Sequence, residues 1–132
     1  MPPRRLPERF QGISDAELAV LEVLWSERSA APNELQVKLA KQGNEWAYTT
    51  VQTLLHRLLK KGYVTRKRAG VAQLYAARVD RDELLARHVS DLAERLCKGS
   101  VSPLLLSLIK TKRFSKVELA RFRRLVEQGG VD

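Results

Sequence analysis

Apolar residues recur at helical spacing along this chain, and the breaks between periodic stretches divide it into short elements. Ser14-Asp15-Ala16-Glu17 has the form of a capping box, in which the serine accepts from the amide of residue 17 and the glutamate reaches back to the amide of residue 14. A helix over about 15–28 follows. Leu18, Leu21 and Trp25 share one face with Leu24 beside them, while Glu17, Glu22 and Glu27 fall at positions expected to be solvated. Pro32 suits the first turn of a second helix, where its missing amide proton is not needed. Leu35 and Leu39, with Val37 and Ala40 nearby, carry that helix to about Lys41, and Gln42-Gly43-Asn44 ends it. The third helix is the most clearly two-faced. Val51, Leu54, Leu55 and Leu58 stand at i, i+3, i+4 and i+7, and Tyr48, Thr49, Gln52, Thr53, His56 and Arg57 occupy the other side. Gly62 stops it.

The period then changes. Tyr63 to Arg68 reads as a strand, Ala69-Gly70-Val71 as a turn, and Ala72 to Ala77, with Leu74 and Tyr75, as a returning strand. A lone hairpin is marginal in water, so Val64 and Leu74 are expected to pack on the helices. Three short helices followed by a basic hairpin predict a mainly α chain with a small β-hairpin. The first part, residues 13–77, reads as a winged helix-turn-helix domain whose third helix is the recognition helix.

Helical period resumes at Asp80-Arg81-Asp82-Glu83, an acidic helix start. Leu85, Val89, Leu92 and Leu96 stand at i, i+4, i+7 and i+11, a narrow stripe close to a heptad seam, and Gly99 closes the element. Ser102-Pro103 begins a short helix carrying Leu104, Leu105, Leu106, Leu108 and Ile109, apolar on most sides. Ser115-Lys116-Val117-Glu118 is a second capping box; it opens a final helix with Leu119, Phe122 and Val126 on one face, closed by Gly129-Gly130. A short tail cannot bury so apolar a helix alone, so a second copy of the chain is expected to cover it. Residues 80–128 therefore read as a helical dimerisation region, with Leu85, Val89, Leu92, Leu96, Leu105, Leu108, Ile109 and Phe122 as candidate contacts.

Charge sharpens the reading of the first part. The 132-residue chain carries a formal charge of +9, which favours a polyanionic partner. Residues 1–76 hold 12 basic and 7 acidic groups, and residues 77–132 hold 12 and 8, so the net charges are alike. Only the first part concentrates one sign. From Trp46 to Val79 there are 34 residues without Asp or Glu, and Arg57, Lys60, Lys61, Arg66, Lys67, Arg68 and Arg78 supply seven positive charges. A one-sign stretch coinciding with a polar-faced helix is the footprint of a DNA-reading element; the plainer reading is a solvated helix followed by a basic loop. Tyr48, Thr49, Thr50, Gln52 and Thr53 are the candidate contacts from the helix, and Arg57, Arg66, Lys67 and Arg68 the candidate phosphate or wing contacts. Met1 to Gly12, with Pro2, Pro3, Pro7, Arg4, Arg5 and Arg9, reads as a flexible basic arm.

Other chemistry is hard to assemble. His56 and His88 are far from each other and from Cys97 in ligand spacing, so no metal site or cofactor is expected. Cys97 adjoins the apolar stripe and reads as a buried free thiol. Neither G-x-x-x-x-G-K-[ST] nor G-x-G-x-x-G occurs. Nucleophile, base and oxyanion donors cannot be filled from these residues, so an enzyme is not expected. No apolar run is long enough to span a bilayer and the start has no signal-peptide core, so a cytoplasmic protein without membrane insertion is expected.

The segments "ISDAELAVLEVLW" and "AYTTVQTLLHRLLKKGYV", the basic hairpin ending in Leu74-Tyr75, and the leucine-rich tail together resemble the penicillinase repressor family of BlaI/MecI type. The resemblance covers about residues 13–128, is most specific over Ala47–Gly62, and includes Glu17, Trp25 and Thr50 to Thr53. It implies a winged-helix transcriptional repressor, homodimeric through its C-terminal helices, bound to an inverted-repeat operator in double-stranded DNA. It also implies induction by proteolysis of the C-terminal region, triggered by a membrane sensor protease. The family's cleaved Asn–Phe bond corresponds here to Ser107–Leu108, where neither residue matches. The cysteine-rich tail of copper-responsive relatives has no counterpart after Glu127. Two other classes stay open from the residues alone: a winged-helix protein-interaction module, and a nucleic-acid binder without sequence preference.

Overall fold

The computed structural model describes residues 11–111 and 113–128. Of the basic arm expected over residues 1–12, residues 1–10 lie outside the described residues, as does the glycine stop at 129–130. Two compact units are present, one ending at His88 and one beginning at Val89.

In the first unit, helices α1 (Asp15–Glu27), α2 (Pro32–Lys41) and α3 (Tyr48–Lys61) precede an antiparallel hairpin, β1 (Val64–Ala69) and β2 (Ala72–Ala77). Helix α4 (Arg81–Leu96) starts in this unit. The capping box at Ser14 is complete: Ser14 Oγ accepts from the Glu17 amide at 3.1 Å, and Glu17 Oε1 accepts from the Ser14 amide at 2.9 Å. At α2 only the reciprocal half of such a box forms, because Ala31 has no acceptor; its amide donates to Glu34 Oε1 at 2.7 Å. Gly62, at φ +82°, takes the left-handed conformation that closes α3 and turns the chain into β1.

One core holds these elements. It is built from Val20, Leu21, Val23 and Leu24 of α1, Leu35 and Leu39 of α2, and Val51, Leu54, Leu55 and Leu58 of α3. The third helix thus buries the four residues its period selects. The first is rotated from the expected face: Val20 and Val23 are buried, Leu18 and Trp25 are half-buried, and Glu17 is almost wholly enclosed at 1 % exposure. The expectation of a solvated Glu17 is therefore corrected, and its burial has a cause described below.

The hairpin docks through a different residue than expected. Val64 is buried, but the inward side chain of β2 is Tyr75, and Leu74 is only half-buried. The register pairs Arg66 with Tyr75 and Lys67 with Leu74. Because strand side chains alternate, Val64, Arg66 and Tyr75 share one face and Lys67 and Leu74 the other. Tyr75 also exchanges both backbone hydrogen bonds with Ala30, each at 2.9 Å, so the α1–α2 connection adds a one-residue third strand to the wing. Ala69 pairs with Ala72 around a two-residue turn in which Gly70 has φ +66° and Val71 does not. That is the type II′ pattern, whose twist suits a hairpin.

The second unit contains the rest of α4, α5 (Ser102–Thr111) and α6 (Lys116–Gln128). Past the end of α4, the amides of Cys97 and Gly99 both donate to the Ala93 carbonyl at 2.9 Å, and Lys98 and Gly99 take positive φ. Cys97 is a free thiol and half-buried, where a buried one was expected. The Ser115 capping box is complete, with bonds of 2.9 and 3.0 Å to and from Glu118. Phe114 and Phe122 meet edge to face at 5.2 Å. Neither α5 nor α6 has a single buried residue.

Candidate nucleic-acid interface

The outer face of α3 is held outward by the burial of its inner one. With Val51, Leu54, Leu55 and Leu58 fixed in the core, 100° per residue leaves the polar positions facing solvent. Tyr48, Thr49, Thr50, Gln52, Thr53, His56 and Arg57 are all exposed. Thr49, Gln52, Thr53, His56, Arg57 and Lys60 line one shallow groove along this face. Tyr48 and Thr50 stand on the first turn beside it. His56 and Lys60 were not among the expected contacts, yet both repeat the i, i+4 spacing that places Gln52 and Thr53 there.

Two local bonds shape this face. Gln36 Nε2 of α2 donates to the Trp46 carbonyl at 3.1 Å, pinning the turn that aims α3. Thr53 Oγ1 donates to the Thr49 carbonyl at 2.9 Å, so its proton is committed within the helix. Thr53 therefore presents its methyl group and an acceptor lone pair, and no free donor. The start of α3 has neither a side-chain cap nor an acidic residue in its first turn. Its unmatched amides keep the positive end of the helix dipole open to an anion.

The wing splits its charges. Arg66, Lys67 and Arg68 are exposed, but Arg66 and Arg68 lie on the Val64–Tyr75 face of the hairpin and Lys67 on the reverse. None of the three occupies the turn itself, which is Gly70-Val71. Among the described residues, Arg57, Lys60, Arg66, Lys67, Arg68 and Arg78 form no salt bridge.

Lys61, the remaining positive charge of the acid-free stretch, is turned inward. Its ammonium donates to Glu17 Oε1 at 2.7 Å and to the Gly12 carbonyl at 2.8 Å. Burial raises the Glu17 carboxyl, but the Lys61 hydrogen bond, the Ser14 amide and the Lys61 charge outweigh it and hold the carboxyl below its ordinary range. Next along the chain, the Tyr63 hydroxyl donates to the Gln11 carbonyl. Burial pushes this phenol above its ordinary value, against the pull of Arg87. Lys61 thus belongs to the frame of the site and not to its charged surface.

All of the candidate dimerisation residues but Leu92 are exposed within a single chain. Leu85 is 60 % exposed and Leu96 70 %; Val89, Leu105, Leu108, Ile109 and Phe122 are exposed as well, and Leu92 is half-buried. The Ser107–Leu108 bond lies inside α5, where the Ser107 carbonyl accepts from Thr111 Oγ1 at 2.7 Å. Among the described residues there is no cluster of His, Cys, Asp and Glu able to hold a metal ion, and no helix long and apolar enough to cross a membrane.

A family model described as "Penicillinase repressor" matches residues 13–128. The chain is 28% identical over 121 residues to the penicillinase repressor of Bacillus licheniformis, covering 92% of this chain and 94% of that protein. It is 25% identical over 116 residues to the methicillin resistance regulatory protein MecI of Mammaliicoccus sciuri, covering 88% and 94%. Among solved structures, the DNA-binding domain of the repressor BlaI superposes with a TM-score of 0.51 at 36% identity, over 57% of this chain and 90% of that one.

Proposed function

Since the chain belongs to the penicillinase repressor family of winged-helix, DNA-binding transcriptional repressors, we propose that it represses transcription as a homodimer on an inverted-repeat operator. The observation that carries this reading is the exposed polar face of α3, rigidly backed by Val51, Leu54, Leu55 and Leu58 and followed by a cationic wing. Gln52, Thr49 and Thr53 read base edges in the major groove, and Tyr48 and Thr50 flank them. Arg57, with the open amides of the first turn, takes phosphate. Arg66, Lys67 and Arg68 of the wing add sequence-independent attraction.

Dimerisation through α4, α5 and α6 is supported by what the single chain leaves uncovered. A run of exposed Leu, Val, Ile and Phe side chains at helical spacing is stable in water only when a partner covers it, and a second copy carries the same pattern. Two linked half-site contacts then gain from effective concentration, so loss of the dimer releases the operator. Release by a membrane sensor protease acting at Ser107–Leu108 would work through this link. That bond must leave the helix to enter a protease, and α5, with no buried residue of its own, opens readily once the partner is gone.

The test is binding of the purified chain to DNA from its own upstream region and to random duplex of equal length across a salt series. A specificity ratio of about a thousandfold or more, with a two-fold symmetric footprint, is the expected result. Equal and steeply salt-dependent affinity for both duplexes would replace the repressor with a non-specific binder.

A further inference from the structure

The outward face of α3 has a centre and two edges. The buried stripe of Val51, Leu54, Leu55 and Leu58 fixes the direction that faces away from the core. At about 100° per residue, Thr49, Thr53, His56 and Lys60 lie within about 30° of that direction, and Gln52 and Arg57 stand about 70° to either side. All six line the groove. Of the four central residues, Thr53 and His56 occupy the middle of its length, with Thr49 one turn before Thr53 and Lys60 one turn beyond His56. His56 is thus set where the helix meets a partner most directly.

The two middle residues differ in what they offer. Thr53 Oγ1 donates its proton to the Thr49 carbonyl at 2.9 Å. His56 is exposed and makes no hydrogen bond or ion pair among the described residues. A neutral imidazole carries one N–H donor and one acceptor nitrogen. The free donor at the middle of the face is therefore His56. Its neighbours bias the choice of partner. Arg57 and Lys60 stand beside it without a salt bridge among the described residues, and no groove-lining residue is acidic. Such a face favours acceptor-rich base edges and offers no carboxylate to the amino group of cytosine. In the major groove guanine presents two neighbouring acceptors, N7 and O6. Adenine sets an amino donor beside its N7, and thymine a methyl group beside its O4.

We propose that His56 is a specificity-determining residue of the recognition helix, donating from its ring N–H to N7 of a guanine in each half-site. The inference rests on the operator-binding reading above and adds to it a base that Gln52 and Thr53 do not read. Those two match other edges: the Gln52 amide suits N6 and N7 of adenine, and the Thr53 methyl suits the methyl of thymine. His56 stands four residues beyond Gln52, about 6 Å along the helix axis. The guanine therefore falls within about two base steps of the base that Gln52 reads, at about 3.4 Å per step.

The experiment uses the full chain. Duplexes bound by the wild type are selected from a randomised pool. Each half-site position is then varied through the four bases and titrated with wild type, His56→Ala and Gln52→Ala. One guanine is expected at which the wild type discriminates by about fivefold or more and His56→Ala by less than about twofold, with discrimination elsewhere unchanged. Gln52→Ala should flatten a different position, within about two base steps of it. Replacing that guanine by 7-deazaguanine keeps the base pair and O6 but removes the N7 acceptor. It should weaken the wild type about fivefold and leave His56→Ala unchanged. Because His56 is exposed, its variant keeps the fold. A wild-type base profile in His56→Ala overturns the inference and leaves the repressor reading standing. So does an equal loss on specific and random duplex, which would make the imidazole a backbone contact, and so does a 7-deazaguanine loss as large in His56→Ala as in the wild type. Recovery by the wild type of no preferred sequence overturns the repressor reading, and this inference with it.

Discussion

Lys61 Nζ donates to Glu17 Oε1 at 2.7 Å, joining the last turn of α3 to the first turn of α1 across 44 residues of chain. The glutamate is at once the N3 residue of a capping box and the buried partner of an ammonium that also holds the Gly12 carbonyl. A buried pair contributes little against an apolar alternative, but removing one partner strands the other.

Lys61→Ala is therefore expected to destabilise the first unit by about 3 kcal/mol, at the low end for a broken buried pair because the Ser14 amide still serves the carboxylate. Glu17→Gln should lose less, about 1–2 kcal/mol, since Lys61 is partly exposed and can turn to water. Urea unfolding of both variants checks the order; a Lys61→Ala loss below that of Glu17→Gln would contradict it.

The same pair fixes a pH dependence. The folded Glu17 carboxyl is held below its ordinary value, so its contribution is fully present above the unfolded value and is lost as pH falls through the lower folded one. In Lys61→Ala burial is no longer opposed by the ammonium, and the carboxyl moves up. The stability gap between wild type and Lys61→Ala should accordingly narrow as pH drops below the usual carboxylate range. A gap independent of pH would show that the lysine acts through packing alone.

Base reading and phosphate attraction should separate by mutation. Gln52→Ala is expected to weaken the specific duplex by roughly 1–3 kcal/mol and random DNA hardly at all. Lys67→Ala should weaken both alike and lower the salt slope by about one unit. Thr53→Val should keep more affinity than Thr53→Ala, because the hydroxyl proton is already committed to Thr49 and the methyl is retained. Parallel titrations on both duplexes decide; equal losses on specific and random DNA for Gln52→Ala would remove it as a base reader.

The wing provides a stability contrast between neighbours. Tyr75→Ala takes away the inward side chain of β2, which is 9 % exposed, and is expected to cost about 3 kcal/mol. Leu74→Ala, on the reverse face beside Lys67, should cost under about 1 kcal/mol. Thermal unfolding of the two variants tests this, and a larger loss for Leu74→Ala would reverse the assigned faces.

Leu96→Glu tests the dimer without burdening the fold, because Leu96 is 70 % exposed in the single chain. Sedimentation should show monomers, with helical content retained and operator affinity much reduced. An unchanged dimer would place the seam elsewhere.

Period and punctuation alone determined much of this molecule. The four buried residues of α3 follow from i, i+3, i+4, i+7 spacing, the caps at Ser14 and Ser115 from their box sequences, and the hairpin from a change of period around Gly70. These are local or strongly periodic signals, carried by neighbours within one turn or one strand pair. The polar face of the candidate interface was legible for the same reason, being the complement of the buried stripe.

Only the tertiary structure decided what lies opposite. Glu17 read as solvated because nothing within a turn of it is cationic; its partner arrives from 44 residues away. That same contact removed Lys61 from the charged surface on which its sequence neighbours remain. Tyr75 took the inward place from Leu74 because a one-residue shift in strand phase exchanges faces, and the Ala30 bridge that fixes the phase comes from a distant turn. Arg81 and Arg87 carried no sequence signal beyond surface charge, and only the tertiary packing lays them over the rings of Trp25 and Tyr63. Local spacing selects which side of an element is buried; long-range packing alone selects the partner, and with it the work each charge does.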